Sequence, residues 1–159
     1  MSKFFTVVLR AGIAGAILLG LFGQVLVIPN SGMEEFNRIL PSFAYLYATV
    51  GILGIACVQV AMAAVWMLLT MIERDAIFTL KAFRWIDIII GASIAATLLA
   101  AGVAVHLLFT DIPEMTVLGM WLGAIAAAGV GACFAMLMVV MRGLLRKATD
   151  LETEMAEVV

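Results

Sequence analysis

Charged positions in this chain fall in clusters, and the stretches between clusters are long and apolar. Four such runs stand out, from about Phe4 to Ile28, about Phe43 to Ile72, about Trp85 to Phe109 and about Thr116 to Met141. Runs of roughly 18 or more apolar residues with almost no charge read as membrane-spanning helices. The pattern predicts an all-α polytopic membrane protein, a bundle of four transmembrane helices in a single domain over residues 1–159. The first span is expected to stop at Pro29, with the stretch "PNSGMEEFNRILP" as an external loop. Its apolar length exceeds the roughly 7–15 residues of a signal h-region, so it reads as an uncleaved anchor. The second run, at 1.5 Å per residue, outreaches a hydrocarbon core of about 30 Å and is expected to tilt or protrude.

Composition supports the membrane reading. Hydrophobic residues make up 65% of the 159-residue chain, against roughly 45–50% in soluble domains. The net charge of −2 decides little; the positions of the charges decide more. Lys3, Arg10, Arg74, Lys81, Arg84, Arg142, Arg146 and Lys147 all fall on one side of the spans, and only Arg38 falls on the other. Cations near span ends stay cytoplasmic. The expectation is a multi-pass protein of a bacterial inner membrane with both termini and the central connector inside.

Lipid gives helices little hydrophobic reason to associate, so small residues that permit close approach matter. Gly119, Gly123, Ala127, Gly131 and Ala135 recur every four residues in the last span, with Ala124, Ala128 and Ala132 beside them. The row predicts helix packing, either within the bundle or at a homo-oligomer seam. Gly12, Ala16, Gly20 and Gly23 form a similar band in the first span.

Ionisable side chains within spans are functional candidates because they are expensive there. Arg10 and Asp87 lie close to the inner boundary, and His106 lies near the outer end of the third span. Gln24 and Gln59 are the principal buried polar candidates, with Gln59 expected to bond across helices. His106 is expected to meet Gln24, Asp111 or Glu114. The first span holds no acid of the kind on which small multidrug transporters depend. Cys57 and Cys133 lie within apolar runs without metal-ligand spacing, and read as packing residues. No serine has a His–acid set, and no phosphate loop is present. The reading is a non-enzyme with no catalytic residue, cofactor or metal, and no direct contact with nucleic acid.

The unusual residues collect on the inner face. In "ERDAIFTLKAFRWID", Thr79 is a candidate N-cap for a helix that carries Lys81, Phe83, Arg84 and Trp85 into the third span. Arg84 and Asp87 are three apart and form a candidate ion pair. The tail "RGLLRKATDLETEMAEVV" is expected to continue the last helix over about 142–159. Leu144, Ala148, Leu151, Met155 and Val158 give it a heptad stripe. Its cations lie near the membrane, and Asp150, Glu152, Glu154 and Glu157 lie farther out. Phe78, Lys81, Arg84, Asp87, Asp150, Leu151, Glu154 and Met155 are the candidate contacts for a cytoplasmic partner.

These two segments carry a resemblance. Ile77, Phe78 and Thr79, followed by Phe83, Arg84, Trp85 and Asp87, resemble a signature before the third span of the bacterial four-span family "domain of unknown function 2975". Leu144, Leu145, Arg146, Ala148, Thr149, Leu151 and Glu154 are similar to its terminal helix. The resemblance implies a four-span membrane protein that occurs alongside small helix-turn-helix regulators. It implies no catalytic or ligand-binding residue. Together these readings predict a regulatory or adaptor protein whose partners are membrane lipids and a cytoplasmic transcription regulator. A transporter or channel component, or a structural lipid-binding subunit, stands as the alternative.

Overall fold

The computed structural model describes residues 3–73, 80–110 and 114–157. Among these residues the regular structure is all helical, with turns between helices. Helix α1 spans Lys3–Phe22, and a π-helical segment, Gly23–Gly32, leads into α2, Met33–Ile39. Helices α3 (Ala44–Ile72), α4 (Leu80–Leu107) and α5 (Glu114–Glu157) follow. Four helical stretches are long and apolar enough to cross a membrane, at Phe4–Ile39, Ala44–Ile72, Lys81–Leu107 and Leu118–Leu151. Helices suit that setting because every backbone donor and acceptor is satisfied within the segment. The protein is a multi-pass membrane protein.

The first span corrects one expectation. The helix does not stop at Pro29 but continues through it to Ile39. In an α-helix the Pro29 ring would strike the carbonyl four residues back. The wider π winding of Gly23–Gly32 moves that carbonyl aside, and π segments are a known way for a helix to absorb such a residue. The Asn30 side chain donates to the Leu26 carbonyl at 2.8 Å, adding a partner where the regular ladder is disturbed. The helix ends instead at Leu40, with φ −138° and ψ 65°. Pro41 follows, and the residue before a proline is pushed out of the α region.

The packing follows chain order. Helix α4 is central, with α3 and α5 packed on it, and α1 packs on α3. Among the described residues, no Cα of α5 comes within 8 Å of one in α3 or α1. The bundle is therefore open. Ala82, Ile86, Ile89 and Ser93 of α4 are its most buried run, at steps of four, three and four. At one end, Leu40, Tyr47 and Leu107 form a buried cluster with Phe36, Ile39, Val103, Met120 and Trp121 against it.

Candidate functional site at the charged end of the bundle

Antiparallel neighbours bring the start of α1, the end of α3, the start of α4 and the C-terminal half of α5 to one end. Two ion pairs sit there. Arg10 donates from Nη2 to Glu73 Oε2 at 2.8 Å and to Thr70 Oγ1 at 3.2 Å. Its guanidinium also lies 5.7 Å from the centre of the Trp66 ring, within cation–π range. Arg142 of α5 donates from Nη2 to Asp87 Oδ2 of α4 at 3.1 Å. Arg142 Nε lies against Asp87 Oδ1 without the alignment of a hydrogen bond.

The second pair corrects the sequence-based expectation for Asp87. It pairs across helices with Arg142, and not with Arg84 on its own helix. Packing explains the choice: α5 runs alongside α4 and delivers Arg142, while Arg84 lies on the exposed side. Lys81 and Arg84 are both exposed, and among the described residues neither has an ion-pair partner. Asp150 and Leu151 are exposed on the extension of α5. Ile77, Phe78 and the Thr79 cap lie outside the described residues, as do the side chains of Glu154 and Met155.

The polar groups of the spans spend their donors on the protein. Gln24 donates to Ile52 O of α3 at 3.1 Å, and Gln59 of α3 donates to Ile17 O of α1 at 3.4 Å. The two amides thus bridge the first span and α3 in opposite directions. Ser93 and Thr97 each donate to the carbonyl four residues back. Among the described residues, no group of three His, Cys, Asp or Glu side chains could hold a metal ion.

His106 finds a partner the sequence reading did not name. Its Nδ1 lies 2.8 Å from the Tyr47 hydroxyl of α3, with the Phe43 ring edge-on at 4.8 Å. Gln24 lies on the π segment, which among the described residues packs on α3 and not on α4, and its amide is spent on Ile52 O. Asp111 and the Glu114 side chain lie outside the described residues.

The small-residue row of α5 divides. A Cβ on Gly131 would collide with Thr97 Oγ1 of α4, and Ala135 is buried. Gly119 and Gly123 have nothing within 4 Å of a built Cβ, and Ala127 is exposed. Among the described residues, only the last two members therefore pack closely against a neighbouring helix. The side of α5 that faces α4 runs through Trp121, Ala124, Ala128, Gly131, Ala135, Met138 and Arg142, at alternating steps of three and four. A four-residue step drifts about 40° per turn around the helix, whereas alternating threes and fours keep to one side. That is why the regular row leaves the interface.

One apolar groove of about 630 Å³ lies between α3, α4 and α5. Val58 and Met62 from α3, Ser93 and Leu99 from α4, and Val130 and Phe134 from α5 line it.

With four spans, the α4 entry carrying Arg84, Trp85 and Asp87, and the helical tail all in place, comparison with known proteins identifies the family. The chain belongs to the family described as "protein of unknown function (DUF2975)". The match covers residues 30–159, from the π segment to the end of the tail. No curated protein and no solved structure matches the chain. In this DUF2975 protein the matched region includes both Asp87 and Arg142, and so the whole α4–α5 clamp.

Proposed function

We propose that this DUF2975 protein is a non-enzymatic regulatory or adaptor protein of a bacterial inner membrane. Both termini and the α3–α4 connector face the cytoplasm, and the protein engages a soluble partner there, a helix-turn-helix transcription regulator. The observation that carries this reading is the continuity of α5. It runs unbroken for 44 residues, about 66 Å at 1.5 Å per residue, more than twice a hydrocarbon core of about 30 Å. Its root is tied to α4 by Arg142 and Asp87. A change in how α4 and α5 pack would therefore move the tail as a rigid lever.

The distribution of polar groups supports the same reading. Gln24, Gln59, Ser93 and Thr97 satisfy backbone carbonyls, while Lys81, Arg84 and Asp150 stand exposed around the charged end. The eight cations assigned to this side favour a cytoplasmic placement. The test is affinity capture from solubilised membranes with Arg84→Ala, Asp87→Ala and a tail whose acids are neutralised. Each change is expected to weaken capture of the same regulator. An unchanged set of captured proteins for all three would overturn the reading.

The apolar groove favours a second reading, a structural subunit that binds lipid. Native mass spectrometry of the protein in mild detergent tests it. A tightly retained lipid, lost when Ala96→Phe fills the groove, would support that role.

A further inference from the structure

We propose that a second copy of this chain docks along α5, forming a parallel helix pair whose seam starts within the membrane and continues through the tail. The inference goes beyond the adaptor reading and does not need a soluble partner.

The seam lies beside the α4 contact. Stepping back one residue from each α4-facing position of α5 gives a second stripe, about 100° around the helix. Val130, Phe134, Leu137, Met141, Leu144 and Leu151 lie on it, and all are exposed. With Ala148 included, the steps alternate four and three without a break. A strict 3.5-residue repeat of apolar positions is the condition for two helices to supercoil along one seam.

Within the membrane, apolar exposure is the rule, and lipid covers it. Beyond Arg142 that explanation fails. Leu151 lies about 14 Å farther along the helix axis at 1.5 Å per residue. The headgroup layer adds only about 5–7 Å to each side of the hydrocarbon. Leu137, Leu144 and Leu151 are 63, 58 and 61% exposed, so the same stripe passes from lipid to water with no loss of apolar character. The tail has no break at which it could fold down onto the membrane surface. After Lys147 its ionisable residues are all acidic, which anionic lipid repels.

The register names the occupant. Leu137, Leu144 and Leu151 recur every seven residues, at the d positions of a heptad in which Phe134, Met141 and Ala148 take the a positions. In that register residue 147, a lysine, takes a g position, and residue 152, a glutamate, takes the next e position. The g position of one helix faces the following e position of its parallel partner, and opposite charges there set pairing and orientation. The tail is thus charge-complementary to itself. Two copies inserted with the same topology send their tails out on the same side, as a parallel pair requires.

The test is disulfide scanning of the full-length protein in native membranes. In a background with Cys57→Ala and Cys133→Ala, single cysteines replace Leu144, Ala148 and Leu151 on the seam, and Arg146 and Asp150 off it. Oxidation is expected to give covalent dimers several-fold more readily at the three seam positions. On the Leu151→Cys background, Lys147→Glu is expected to lower cross-linking several-fold, and adding Glu152→Lys to restore it. Equal cross-linking at all five positions would overturn the proposal. So would adducts with a different protein in place of dimers, or failure of the double charge change to restore pairing.

Discussion

Asp87 and Arg142 meet across α4 and α5 where the last apolar run ends, with the carboxylate held by one guanidinium nitrogen at 3.1 Å. The contact joins residues 55 apart in sequence and sits at the root of the tail. Both side chains remain partly exposed, so the pair is expected to contribute about 1 kcal/mol or less. Asp87→Asn should lower stability in detergent by that amount. The exchanged pair Asp87→Arg with Arg142→Asp should recover most of it. A double-mutant cycle read by thermal unfolding checks the coupling.

The Tyr47 hydroxyl and His106 Nδ1 tie α3 to α4 at the opposite end. Tyr47→Phe keeps the ring but removes the hydroxyl. A loss of about 0.5–1.5 kcal/mol is expected. His106→Ala should cost more, because it also removes the edge-on contact with Phe43. Unfolding of the purified variants in one detergent gives both values.

Two glycines of α5 should respond in opposite ways. Gly131→Val places a side chain against Thr97, and overpacking of this kind costs about 1–3 kcal/mol. At Gly123 an added Cβ has no atom of the described residues within 4 Å, so the fold should tolerate Gly123→Val. Comparing the yield of monodisperse protein and its melting temperature separates the two.

The first span rests on α3 through two reciprocal amide bonds. Gln24→Leu and Gln59→Leu should each cost about 0.6 kcal/mol, the average for such bonds between membrane helices. Together they should loosen α1 while leaving α3, α4 and α5 packed. Protease sensitivity of the α1 end, measured beside global unfolding, distinguishes local from general loss.

The spans were legible in the sequence because lipid imposes a strict rule on length and polarity, and all four apolar runs became helices. Pro29 misled because its effect depends on local winding. A proline reads as a helix end, but a π segment carries the chain past it to Ile39. Gly119, Gly123 and Ala127 fall outside the α4 contact for a geometric reason: they follow a four-residue repeat, while the side of α5 that faces α4 keeps a 3.5-residue repeat. Arg10 and Asp87 stood out as costly charges near span ends, but their partners Glu73 and Arg142 depend on which helices become neighbours. The same holds for His106, whose partner Tyr47 is 59 residues away. Polar residues are visible in a sequence, whereas the pairing that satisfies them is a property of the packing.

The proposed function makes the start of α4 and the extension of α5 one cytoplasmic surface for a soluble regulator. The most direct measurement places a photo-cross-linking amino acid at Arg84, at Asp150 and, as a control on the other side, at Arg38, in living cells. Positions 84 and 150 are expected to trap the same helix-turn-helix protein, and position 38 none of it. Adducts at 84 and 150 made only with lipid or with other membrane proteins would contradict that function.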